Sequence, residues 1–264
     1  MMELLNAVVT LAKQAGNEVL TIYRQENLVI IRTKIDKSPL TEADLLAHRV
    51  ITTGLKQLTP KLPILSEEST VPSFAERQQW QRYWLIDPMD GTQEFLKRTD
   101  DFTINIALID NHKPVLGVVY APALDCCYFA SVEQGAFKQV DAQPFQAIRV
   151  RPRPTEAFTV VASRRHGLPA LETFLQRLGA HTIVQRGSAL KCCLVAEGVA
   201  DIYPRLSPTS EWDTAAAQCV LEQAGGTVID SAGKPLRYND KDSIENPSFL
   251  AVGDTIFNWC QYLE

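Results

Sequence analysis

The stretch Tyr83-Trp84-Leu85-Ile86-Asp87-Pro88-Met89-Asp90-Gly91-Thr92 decides how this chain is read. Four apolar or aromatic residues in a row predict a short buried strand over Tyr83 to Ile86. Two carboxylates follow at its end. Alone, Asp90-Gly91 reads as a common turn dipeptide. Its setting asks more of it. Upstream, Leu62-Pro63-Ile64-Leu65-Ser66-Glu67-Glu68 is a second apolar run that ends in acids, and downstream Ser210-Glu211-Trp212-Asp213 places an acid at a helix start. Taken singly, Asp213 would cap a helix beginning at Thr214, Asp44 would be the third-position acid of its own helix, and Glu67-Glu68 would be a solvated loop. Together, three separate elements deliver carboxylates from strand ends or a helix start.

Outward from this stretch, Leu4, Val8, Leu11, Ala15, Val19 and Ile22 recur at helical spacing and predict an N-terminal amphipathic helix. Leu28 to Thr33 reads as a strand. Thr41 with Asp44 forms a capping-box variant that opens a helix to about Leu58. Strands are expected at Thr103 to Ile109, Val115 to Tyr120 and Cys127 to Ala130, close enough together to form an antiparallel sheet. The Pro-rich Arg151 to Pro154 separates two lobes, about 1–150 and 155–264, of one domain. Beyond it, Phe158 to Ala162 reads as a strand, Leu168 to Leu178 and Ser188 to Glu197 as helices, and Asp201 to Tyr203 as a strand. A helix at Thr214 to Gln223 and a strand at Thr227 to Ile229 complete a more α/β-like second half.

The composition excludes several classes. A hydrophobic share of 45% and a charged share of 22% over 264 residues suit a chain that buries a core and argue against disorder. With 26 basic and 31 acidic residues, the net charge of −5 lacks the basic footprint of a nucleic-acid binder. It leaves room for a small anionic substrate, because local cations override net charge. No apolar run reaches the length of a membrane span. Glu3 stands where a signal peptide carries positive charge, so export is not expected. The six cysteines have no zinc-ligand spacing and mostly apolar neighbours, which suits free buried thiols in a reducing cytoplasm.

Carboxylates that converge without His or Cys favour hard cations such as Mg²⁺. Without cations between them they repel. Phosphate chemistry suits such a site, since two metals can serve both the attacking and the leaving oxygen. Gly91, the backbone after Asp90 and the helix start beside Asp213 could hold phosphate oxygens.

These motifs resemble the signature of the inositol monophosphatase superfamily. The pattern D-P-x-D-G-T alone would arise by chance in roughly one chain of this length in ten thousand, and Glu67-Glu68 and Trp212-Asp213 add two ordered motifs. The resemblance spans nearly the whole chain, including Leu194-Val195-Ala196-Glu197-Gly198-Val199-Ala200-Asp201 and Glu222-Gln223-Ala224-Gly225-Gly226. Within the superfamily, Asp36-Lys37-Ser38-Pro39-Leu40-Thr41-Glu42-Ala43-Asp44, Ser188-Ala189-Leu190-Lys191 and Tyr203-Pro204-Arg205 are similar to the bacterial 3'(2'),5'-bisphosphate nucleotidases.

The resemblance implies a layered α-β-α-β-α sandwich of the inositol monophosphatase and fructose-1,6-bisphosphatase type, an α/β (α+β) fold. It implies that Glu67, Asp87 and the backbone oxygen of Met89 hold one Mg²⁺, while Asp87, Asp90 and Asp213 hold a second. Asp44 is matched to a third, weaker metal held through water. Glu67 and Thr92, with Asp44 behind them, would orient and deprotonate a water that attacks phosphorus in line, with no phosphoenzyme. Asp90, Gly91, Thr92 and Asp213 would meet the reacting phosphate. Ser188, Lys191 and Arg205 would grip a second phosphate and the nucleoside, and His166 the base.

The expected activity is removal of the 3'-phosphate of adenosine 3',5'-bisphosphate to give AMP, with the sulfated precursor as a second substrate. This would make a lithium-sensitive enzyme linked to sulfur assimilation. The partner is a small phosphorylated nucleotide, not nucleic acid. A monomer is favoured, in the cytoplasm, with peripheral contact at the inner membrane left open. Two rivals remain. An inositol or sugar phosphatase would share every metal ligand, whereas a regulatory binding protein without turnover would be expected to have lost some of them.

Overall fold

The computed structural model describes residues 1–25, 31–33, 39–164 and 169–263. The expected strand at Leu28 to Thr33 lies largely outside them. Its described part, β1 (Ile31–Thr33), pairs antiparallel with β2 (Pro39–Thr41). Helix α1 (Met2–Tyr23) buries Leu5, Val8, Leu11, Ala15, Val19 and Ile22, the expected face. Helix α2 (Glu42–Leu58) packs on it and buries Ala43, Ala47, Ile51 and Leu55. Each large apolar side chain removed from water here contributes about 1.5–3 kcal/mol.

Both helices cover one face of a seven-stranded sheet: β3 (Ile64–Ser66), β4 (Arg82–Asp90), β5 (Thr103–Asp110), β6 (Lys113–Ala121), β7 (Cys126–Ser131), β8 (Gly135–Val140) and β9 (Gln146–Ala147), in that spatial order. Every neighbouring pair is antiparallel except β3 and β4, which run parallel because α3 (Phe74–Arg77) and its loops carry the chain back across. Helix α4 (Thr92–Leu96) follows β4 directly.

Strand alternation sorts the side chains into layers. Trp84, Ile86, Ile104, Ile106 and Leu108 face α1 and α2. Tyr83, Leu85, Ala107 and Ile109 face the opposite way, toward α6 (Leu190–Ala196) and α7 (Glu211–Gln223). Because β4 is buried on both faces, its start reads as an unbroken apolar run.

Beneath α6 and α7 lies a five-stranded sheet of β10 (Phe158–Ala162), β11 (His181–Gln185), β12 (Ile202–Arg205), β14 (Thr227–Asp230) and β16 (Phe249–Val252), in the order β11-β10-β12-β16-β14. Val161, Tyr203 and Ala251 point in toward the helices. Val160, Ile202 and Leu250 point out onto α5 (Pro169–Leu178), which buries Phe174 and Leu178 against them. A short pair, β13 (Thr209–Ser210) with β15 (Glu245–Asn246), braces the start of α7. The result is helix, sheet, helix, sheet, helix, the expected five layers. Among the described residues no helix is long and apolar enough to cross a membrane.

Two expectations need correcting. The helix expected at Ser188 to Glu197 is shorter, because Ser188 has φ +53° and stands in a turn before α6. Helix α7 begins at Glu211 rather than Thr214, because Ser210 is its cap and Asp213 its third residue, the same capping box that starts α2 at Thr41 and Asp44.

Candidate active site

Local backbone geometry explains how the carboxylates meet. Three residues apart on a regular strand, Asp87 and Asp90 would face opposite sides of the sheet. Between them β4 bulges: Asp87 lies across from Asn105 and Asp90 across from Thr103, so three steps on one strand match two on the other. Both acids therefore face the α6–α7 layer, while Met89 between them is buried on the other side. The Asp87 Oδ1 accepts the Met89 amide at 3.0 Å. Glu67 extends the parallel pairing of β3, donating its amide to Ile86 O at 3.2 Å, which sets it beside Asp87.

At the end of the bulge Gly91 has φ +93°, and a Cβ there would come within 3.0 Å of Ser188 Oγ. Only glycine turns this corner without strain. The turn starts α4 at Thr92, whose hydroxyl donates to Asp44 Oδ1 at 3.4 Å. The other Asp44 oxygen accepts the Thr41 amide at 2.7 Å and the Thr41 hydroxyl at 2.6 Å. The cap role and the site role of Asp44 thus coexist. Asp213 is held the same way, with Oδ2 accepting the Ser210 amide at 2.9 Å.

The electrostatics are those of crowded acids. Burial first, then the charges of Glu67, Asp90 and Asp213, raise the Asp87 carboxyl well above its ordinary value. Burial raises Asp90 too, opposed by the Lys191 ammonium. Asp213 is pushed up to about 8 by burial and by Asp90. Among the described residues no three Asp, Glu, His or Cys side chains already close around one coordination point. Cations would relieve the mutual repulsion of these acids. The donors are all hard oxygens, Asp87 buried and Glu67, Asp90 and Asp213 half-buried, so the residues fit Mg²⁺.

A cavity of about 410 Å³ opens beside the acids, lined by Asp90, Asp213, Lys191, Tyr203, Arg205 and Ser207 among others. Lys191 is buried; its Nζ donates to Ser188 O at 2.5 Å and stands over the Tyr203 ring at 5.3 Å. Burial lowers its pKa, with Asp90 pulling the other way. Arg205 donates through Nη2 to Pro208 O at 3.1 Å, while its buried Nε has no partner. Among the described residues neither cation is in a salt bridge. The Ser188 hydroxyl donates to Asp90 O at 2.6 Å and so accepts from Thr103 at 3.0 Å. Its own proton is engaged, which leaves Ser188 an acceptor toward any ligand. His166 lies outside the described residues.

Sequence reading missed the residues that brace this site. Buried Asp101 accepts the Gly187 amide at 2.9 Å and pairs with Arg164 at 2.8 Å, fixing the turn that presents Ser188 and Lys191. Buried Arg77 donates to Asn239 Oδ1 at 2.6 Å, and the Asn239 amide donates to Glu211 Oε2 at 2.9 Å, which anchors the start of α7. Arg, Asn, Asp and Glu are ordinarily surface residues, so no sequence signal marked them. Cys192 lines the cavity, but burial pushes its thiol up to about 12 and Cys193 further, so neither is a ready nucleophile.

A five-layer α/β sandwich with acids gathered on a strand bulge, a strand end and a helix start defines a class of metal-dependent phosphatases. The model of the inositol monophosphatase family matches residues 1–254, and the chain belongs to that family. Among its relatives is the 3'(2'),5'-bisphosphate nucleotidase CysQ of Escherichia coli strain K12, 48% identical over 247 residues, covering 93% of this chain and 98% of the relative. The CysQ of Haemophilus influenzae is 38% identical over 257 residues, covering 97% and 95%. The crystal structure of CysQ from Bacteroides thetaiotaomicron, described as a bacterial member of the family, superimposes with a TM-score of 0.81 at 37% identity, covering 94% of this chain and 97% of that one.

Proposed function

We propose that this protein is a Mg²⁺-dependent 3'(2'),5'-bisphosphate nucleotidase that converts adenosine 3',5'-bisphosphate to AMP and phosphate, and accepts the sulfated precursor as well, in the service of sulfur assimilation. One observation carries the reading: two of the acids, Asp90 and Asp213, and two cations outside any salt bridge among the described residues, Lys191 and Arg205, line a single cavity. A substrate with one phosphate to lose and another to be held suits that pairing. The relatives at 38–48% identity bear the same name.

Glu67, Asp87, Asp90, Asp213 and the Met89 carbonyl would hold two Mg²⁺ ions, with Asp44 toward a third. Bound there, Mg²⁺ supplies Lewis-acid neutralisation of charge on the phosphate. The protein's own part is positional. Thr92, whose hydroxyl donates to Asp44, would act with Glu67 to orient the attacking water and take its proton, with Asp44 as the next acceptor. Lys191 and Arg205 grip the 5'-phosphate with charge-assisted bonds, and Tyr203 walls the cavity beside them. His166 is assigned to the base. The reaction needs no covalent intermediate, consistent with the buried thiols.

Phosphate release from adenosine 3',5'-bisphosphate, its sulfated precursor, inositol 1-phosphate and fructose 1,6-bisphosphate, each with Mg²⁺ and with EDTA, tests the proposal. The nucleotides should be hydrolysed fastest, and only with Mg²⁺. A preference for inositol or sugar phosphates would replace this reading with the broader one.

A further inference from the structure

Asn105 is buried, with 1% of its surface exposed, yet neither its Nδ2 nor its Oδ1 has a hydrogen-bond partner. Among the described residues it alone leaves two side-chain polar atoms orphaned. An unpaired buried amide is a cost the native fold ordinarily avoids. A β-branched apolar residue would serve this position in a central strand better, as Val119 does at the neighbouring place on β6.

Its location suggests what it is for. Asn105 lies directly across from Asp87 in the β4–β5 register. Opposite residues on one face stand about 4.5–5.5 Å apart at Cβ. On β5, Thr103, Asn105, Ala107 and Ile109 share the face toward α6 and α7, where Thr103 already holds Ser188. Asp87 points to the same side as Leu85 and Tyr83. The orphaned amide therefore backs onto the one acid assigned to both metals. The Asp87 Oδ1 accepts the Met89 amide from the loop side, and Glu67 engages the carboxyl from β3, while Asn105 lies across from it on β5.

We infer that Asn105 is a positioning residue, whose side-chain amide engages the Asp87 carboxylate, or water bound beside it, when Mg²⁺ is present. It touches no substrate. The inference rests on the Mg²⁺ reading given above, and goes beyond it by assigning a residue outside the acidic motifs. Asparagine costs the metal-free fold, since its Nδ2 gains the carboxylate as acceptor, and its Oδ1 a water as donor, only in the loaded site. Outer partners of this kind typically change metal affinity 10–100-fold.

The test is Asn105→Val, studied as full-length protein by Mg²⁺ calorimetry without substrate and by thermal melting in EDTA. If Asn105 positions Asp87, the variant binds Mg²⁺ 10–100-fold more weakly than wild type. It also melts about 2–4 °C higher when metal-free, because the orphaned atoms are gone. A variant that melts lower and binds Mg²⁺ normally would make Asn105 merely structural and overturn the inference. Wild type that binds no Mg²⁺ would overturn the metal reading as well. Should Asn105→Val not fold, Asn105→Ser serves to identify the Asn105 side-chain NH₂ resonance in wild type by its loss. That resonance should move as Mg²⁺ is added, and a stationary one would overturn the inference.

Discussion

Replacing Arg205 with alanine separates the phosphate that is cleaved from the phosphate that is only held. Arg205 ends β12 at the cavity wall, with a single neutral acceptor, Pro208 O, and an unpartnered Nε. Among the described residues only that carbonyl loses a partner on its removal, so stability should change little. A hydrogen bond from a guanidinium to a phosphate is worth about 1.5–3 kcal/mol. Arg205 is only half-buried, so the lower part of that range applies, or a loss of about 10–30-fold in kcat/KM on adenosine 3',5'-bisphosphate. Arg205 also lowers the pKa of Asp213 through space. That field acts on any substrate, so the ratio of two substrates cancels it. Steady-state phosphate release from the bisphosphate and from inositol 1-phosphate gives the ratio directly. The second substrate should lose less than about threefold. Equal losses on both would show that Arg205 serves the general field and would refute the assignment of a second phosphate to this cation.

Asp87→Asn should cut turnover more than about 100-fold, since the acid assigned to both metals is lost, yet raise the melting temperature in EDTA by relieving the crowding that raises its pKa. A lower melting temperature, or near-normal turnover, would count against the shared-ligand role. In metal-free protein the Asp213 carboxyl binds its proton more tightly folded, at about 8, than unfolded. Its favourable contribution is therefore complete at low pH and fades as pH rises toward 8. Melting in EDTA from pH 5 to 8 should fall with pH, and Asp213→Asn should flatten the fall; parallel curves would contradict this. Gly117→Ala would place a Cβ 2.3 Å from Ala216 O and force α7 off the sheet. It should destabilise by about 1–3 kcal/mol and weaken Mg²⁺ binding through Asp213, as urea unfolding and calorimetry would show.

The parts of the fold that were legible in the sequence are those with one dominant environment. Helix α1 has a clean apolar stripe, and β4 is buried on both faces, so each announces its type. The strands that went unread have mixed surroundings. All of β8 but Ala136 is partly or fully exposed near the sheet edge, and β11 is an outer strand whose residues are mostly open to solvent, so neither shows alternation. Strand β16 sits centrally between β12 and β14, and its apolar run Phe249–Val252 is as long as Tyr83 to Ile86, so it was legible and went unread.

The acids of the site were legible because burying a carboxylate is costly, and acids delivered together by two strand ends and a helix start have few structural uses. What the sequence could not convey was the bulge that turns Asp87 and Asp90 to one face. Bracing by Asp101, Arg77 and Asn239 was equally hidden, because the Asp101–Gly187 and Arg77–Asn239 bonds span 86 and 162 positions. Ser188 looked like a helix residue, but its φ of +53° and its bond to Asp90 O make it part of the turn.

The central claim is that one phosphate is cleaved at the acids while the other is held by Lys191 and Arg205. Phosphorus NMR of adenosine 3',5'-bisphosphate incubated with the protein tests it most directly, with Mg²⁺ and with EDTA. The account expects the 3'-phosphate resonance to disappear into inorganic phosphate while the 5'-phosphate persists as AMP, and no change in EDTA. Accumulation of adenosine 3'-phosphate, or equal hydrolysis without Mg²⁺, would contradict it.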